Sequence, residues 1–83
     1  MSKRISWTAR AKADVRAIDP QTAMRTLHGL AHFTQTEAGD VKRLKDTDPP
    51  KFRLRVGSYR ILFFDHGDTI EILAVRHRSE AYR

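Results

Sequence analysis

Between Phe52 and Val56 the chain alternates without a break: Phe52, Leu54 and Val56 are apolar, while Arg53 and Arg55 are charged. Successive side chains of a strand point to opposite faces, so this segment reads as a strand with one core face and one cationic face. Gly57-Ser58 then supplies a tight connection into Tyr59–Asp65, which is rich in aromatic and β-branched residues, and His66-Gly67-Asp68 turns that strand into Thr69–Val75. The result is a three-stranded antiparallel meander onto which the rest of the chain must pack. Ile70, Ile72, Leu73, Ala74 and Val75 form a near-continuous apolar run, which predicts a central strand covered on both faces.

Upstream, Arg4–Trp7 is short and alternating, with Ile5 and Trp7 on one side, and predicts an opening strand at a sheet edge. Thr8 is a fitting N-cap for a helix from Ala9 to about Ile18, where Ala11, Val15 and Ile18 make the apolar stripe. Asp19-Pro20 is a restart signal for a second helix reaching about Gln35, with Ala23, Leu27, Leu30, Ala31 and Thr34 in one stripe and Arg25, His28 and His32 opposite. The i, i+4 spacing of His28 and His32 also suits a helical metal pair, but no third ligand stands in an obvious place. They read as a solvated face, and no metal or other cofactor is expected. After Glu37-Ala38-Gly39, Asp40–Leu44 can form a strand, and residues 46–50, with two prolines, form a loop. The order β-α-α-β-β-β-β predicts one α+β domain over 1–83. Both helices should pack on one face of a twisted, mainly antiparallel sheet, leaving the other partly open.

Composition narrows the function. Eighty-three residues support one small core, and the absence of cysteine excludes disulfide scaffolds, thiolate metal sites and cysteine nucleophiles. No apolar run approaches the ~20 residues that span a bilayer, which predicts a cytoplasmic protein without membrane contact. The net charge of +6 points to polyanionic partners. Much of it is concentrated in seven cations between Lys42 and Arg60 (Lys42, Arg43, Lys45, Lys51, Arg53, Arg55 and Arg60) against two acids, Asp46 and Asp48. Arg60, Arg76 and Arg78 can reach the same sheet rim as Arg53 and Arg55. Like charges held together on a rigid sheet are costly unless an anion is expected there, and guanidinium forks match phosphate oxygens, so the expected anion is a phosphodiester. His77, within Arg76-His77-Arg78, and Tyr82 are the candidates beside the cluster for proton transfer or base stacking.

The string Phe52–Leu62, followed by Ile70–Val75 and then by Arg76-His77-Arg78-Ser79-Glu80-Ala81-Tyr82, resembles the RelE superfamily of bacterial and archaeal toxins, over nearly the whole chain. The resemblance implies a monomeric endoribonuclease that enters the ribosomal A site, cleaves mRNA there without metal, and is silenced by a cognate antitoxin. It implies a catalytic set of Arg55, Arg60, Arg76, His77 and Tyr82, with Arg53 beside them, while the charge cluster adds Lys42, Arg43, Lys45, Lys51 and Arg78 as expected RNA contacts. The paired basic positions, often lysine in the family, are here Arg53 and Arg55. Arginine does not deprotonate in proteins, so the base role that the resemblance implies moves to His77. The end at Arg83 leaves no room for the C-terminal helix that some members carry. Two rivals stand beside this reading: the ParE branch, whose members act on DNA gyrase, and a non-catalytic RNA-binding domain. ParE-like chains usually have a longer helical hairpin and lack the late His/Tyr pair, so the short first helix, His77 and Tyr82 favour the nuclease.

Overall fold

The computed structural model describes residues 3–45 and 47–81. Its elements are β1 (Arg4–Trp7), α1 (Ala9–Arg16), α2 (Pro20–Thr36), β2 (Asp40–Arg43), β3 (Lys51–Val56), β4 (Tyr59–Asp65), β5 (Thr69–His77) and α3 (Arg78–Ala81). The five strands form one sheet in the order β1-β5-β4-β3-β2. β1 runs parallel to β5 at one edge, and the other neighbours are antiparallel. The α+β architecture, the edge position of β1 and the β3–β4–β5 meander agree with the sequence reading.

Local chemistry sets the helix starts. Thr8 caps α1, its Oγ1 accepting from Ala11 N at 3.2 Å while donating to Ile72 O at 2.7 Å, so one hydroxyl both begins the helix and fastens it to β5. Asp19 caps α2 through Thr22 N at 3.0 Å, with Pro20 at the first helical position. Hydrogen bonding from Thr22 holds the Asp19 carboxyl below its ordinary value.

The core lies between the helices and one sheet face: Ala11, Leu30, Leu54, Ile61, Phe63, Ile70, Ile72 and Val75 are buried together. Phe63 is its centre, stacked on Phe52 at 5.5 Å between ring centroids and tilted against Phe33 at 5.7 Å. Burying a side chain of this kind stabilises the fold by roughly 1.5–3 kcal/mol.

Three expectations are corrected. The buried stripe of α2 is Ala23, Thr26, Leu30 and Thr34, with Leu27 and Ala31 on its half-buried flank. Thr26 enters the core because its hydroxyl donates to Thr22 O at 2.9 Å, leaving no polar group unsatisfied. The apolar run of β5 reflects a β-bulge: Leu62 faces Ala74 and Phe63 faces Ile72, so Leu73 is the extra residue. The bulge returns Val75 to the helix-covered face shared by Ile70 and Ile72 and leaves Ala74 on the other. Finally, β5 continues to His77 and is followed by a helical turn, α3, where no C-terminal helix was expected.

Candidate functional site

The register of the meander gathers the cations into rows. Arg55 stands opposite Arg60 and Arg60 opposite Arg76, all on the face away from α1 and α2. Lys42, Arg53, Leu62 and Ala74 make the next row, and Lys51, Phe64 and Glu71 the one after. Directly opposed residues of neighbouring strands have Cβ atoms about 4.5–5.5 Å apart, and like charges so placed are destabilising. Arg60, in the middle, is only 7% exposed, while Arg55 is exposed and Arg76 half-buried. Asp40 closes the row beside Arg55 and approaches Arg53, with Asp40 Oδ1 3.9 Å from Arg53 Nη2. An exposed carboxylate at that distance contributes little to holding Arg53. A phosphodiester, which accepts guanidinium forks bidentately, fits the row.

The remaining cations are dispersed. Arg43 pairs with Phe52, so its parity is that of the helix-covered face at the sheet edge, and Lys45 lies in the turn after β2. Arg78 opens α3, exposed, with its N–H donating to Ser58 O at 2.7 Å. Tyr82 lies outside the described residues.

His77 is not beside the arginine row. It pairs with Tyr59, on the face covered by the helices, and borders a polar cavity of about 250 Å³ lined also by Asp14, Ala17, Ile18 and Val75. Its Nδ1 accepts the Ser79 N–H at 3.2 Å and sits 2.8 Å from Ser79 Oγ. The expected adjacency of His77 to the guanidinium cluster is thereby corrected: strand parity separates neighbours in sequence onto opposite faces.

The sequence reading also missed two residues of the open face. Leu62 and Phe64 share the parity of Arg60, and that parity was the available signal. Among the described residues, no three His, Asp or Glu side chains converge to hold a metal ion.

Residues 5–82 match the family model described as the ParE toxin of type II toxin–antitoxin systems. The chain belongs to this family. This ParE-family toxin has the fold of several solved RelE chains. Against the RelB–RelE antitoxin–toxin complex from Methanococcus jannaschii the TM-score is 0.73 at 22% identity, covering 93% of this chain and 94% of the other. Against the archaeal RelE–RelB complex from Pyrococcus horikoshii it is 0.74 at 20% identity, covering 94% and 97%. Against the toxin–antitoxin complex RelBE2 from Mycobacterium tuberculosis it is 0.76 at 24% identity, covering 94% and 100%. A comparison with curated proteins finds no match. The toxin is thus a RelE/ParE superfamily member, with a family model of one branch and a fold shared with chains of the other. No helix among the described residues is long and apolar enough to cross a membrane.

Proposed function

We propose that this toxin is an endoribonuclease that cleaves mRNA in the ribosomal A site, with Arg55, Arg60 and Arg76 as its phosphate site. The observation that carries this reading is the cross-strand arginine row on the sheet face that the helices leave open. Attack of a ribose 2′-OH on the adjacent phosphorus develops negative charge on the phosphoryl oxygens. Guanidinium groups fixed by a rigid sheet stabilise that charge more in the transition state than in the ground state. The 2′-oxygen bonds to phosphorus and the 5′-oxygen departs, giving a 2′,3′-cyclic phosphate and a 5′-hydroxyl. Lys42, Lys51 and Arg53, on the same face, hold the flanking backbone. Arg43, Lys45 and Arg78 add longer-range attraction. With His77 across the sheet, Tyr82 or a ribosomal group handles the proton that leaves the 2′-OH and the one that the departing 5′-oxygen takes up, and the arginine row supplies positioning and charge stabilisation, without a metal, as in the resemblance to RelE.

The toxin works in the cytoplasm as a monomer and is held inactive by a cognate antitoxin. Support comes from the solved relatives, which are toxin–antitoxin complexes, and from the net charge of +6, which steers an acidic partner toward the open face.

A second reading, inhibition of DNA gyrase by binding, is favoured by the ParE family match and by the position of His77. Primer extension on a translated message, on the same RNA without ribosomes, and a gyrase supercoiling assay separate the two. Cleavage confined to the translated message, with supercoiling unaffected, supports the nuclease. Blocked supercoiling with intact RNA overturns it.

A further inference from the structure

We propose that Phe64 is a base-stacking residue of the same surface, so that a single-stranded polynucleotide lies along β4 with a phosphate on the arginine row and a nearby base on the Phe64 ring. The inference rests on the nuclease reading above and adds to it an aromatic subsite for an unpaired base.

Phe64 lies four residues beyond Arg60 on the same face, a separation of about 14 Å at ~3.4 Å per residue. Between them the row of Leu62 and Ala74 carries no charge on β4 or β5. Along β4 the face therefore reads cation, apolar step, aromatic ring. The ring does not belong to the core, whose aromatic cluster is Phe33, Phe52 and Phe63. Phe64 is half-buried, and its aromatic neighbour is His66, edge-on at 6.1 Å between centroids. Lys51 stands opposite it on β3.

Charge bounds the track. Glu71 faces Phe64 from β5, and Asp68 lies in the turn after β4. A phosphate is disfavoured on the β5 side of the ring and drawn to Lys51 on its β3 side, whereas a base is indifferent to both. The face thus holds backbone at its cationic rows and a π-face at its acidic end, the combination of basic groove and aromatic platform that binds single strands without reading sequence. A protein segment docked on the same patch is the competing occupant; it has no need of an aromatic ring at this distance from a phosphate site.

The test measures fluorescence anisotropy of a labelled, uncleavable 2′-deoxy oligonucleotide on the full chain, over a series of salt concentrations. Phe64→Leu keeps apolar volume on the face, and its melting temperature checks the fold. The expected result is an affinity about tenfold lower, the fold-change of losing one stacked base, with an unchanged dependence of log K on log salt, and recovery in Phe64→Trp. Arg60→Gln, in contrast, lowers the salt slope by about one phosphate contact. Wild-type affinity in a folded Phe64→Leu, alongside weakened binding in Arg60→Gln, overturns the stacking role and leaves the nuclease reading standing. Absence of oligonucleotide binding by the wild type at low salt overturns the stacking track, and primer extension on the translated message then decides the nuclease reading separately.

Discussion

Tyr59 and His77 stand directly opposite each other on β4 and β5, their rings edge to face at 88° with centroids 5.3 Å apart, on the sheet face that α1 covers. Arg60, the residue after Tyr59, and Arg76, the residue before His77, make the adjoining cross-strand pair on the other face. The alternation that builds the cationic row is what removes the histidine from it. The same parity places Tyr59 with Ile61 and Phe63 against the helices.

It follows that His77→Gln should alter packing more than chemistry. Single-turnover cleavage of a ribosome-bound message should stay within about tenfold of wild type, with the pH profile unchanged, where loss of a general base costs roughly 10²–10⁴-fold. A drop of that larger size, with the low-pH limb flattened, would restore His77 to the catalytic set.

Packing makes a sharper demand at Gly29. A Cβ there would lie 2.6 Å from Val56 Cγ1, so α2 approaches β3 only because residue 29 has no side chain. Gly29→Ala should destabilise by about 1–3 kcal/mol through overpacking, despite the better helix propensity of alanine. Adding Val56→Ala should return part of that loss. Thermal unfolding of the two single variants and the double variant measures it, and additive effects would mean that the contact is not the cause.

Much of this architecture was legible because its signals are local. The strict alternation of Phe52–Val56, the Gly57-Ser58 turn and the Asp19-Pro20 restart each specify geometry within a few residues, and β1, β4 and both helix starts lie where those signals put them. What escaped depends on partners distant in sequence. The bulge at Leu73 follows from how β5 registers on β4, and the place of Thr26 in the core depends on a hydroxyl finding a backbone carbonyl. The arginine row was half visible: alternation gave Arg53 and Arg55 one face, but only the register aligned Arg55, Arg60 and Arg76. Adjacency in Arg76-His77-Arg78 was misleading because a strand separates neighbours.

Acid should loosen the sheet end opposite the arginine row. Asp65 accepts from Lys3 Nζ at 2.9 Å and from Gly67 N at 2.9 Å. Burial, the largest single influence, pushes its carboxyl up, yet the Lys3 hydrogen bond, the Gly67 N–H and the charges of Lys3 and His66 together hold it below its ordinary value. A carboxylate depressed in the folded state stabilises above its unfolded pKa, near ~3.9, and loses that contribution as pH falls through the lower folded value. Asp65→Asn should therefore melt below wild type at neutral pH, the gap closing in acid below both values. A gap that is constant with pH would assign the loss to packing instead.

The account stands or falls on Arg60, the middle of the row. In single-turnover cleavage of a translated message, Arg60→Ala should be slower by at least roughly 10²-fold, as expected for loss of a group aimed at developing phosphoryl charge. Its folding is checked by thermal melting, and Arg55→Ala, at an exposed position, gives a second variant that leaves the core untouched. The account predicts slowed cleavage in both folded variants. Wild-type cleavage rates in both, with the proteins folded, would contradict it.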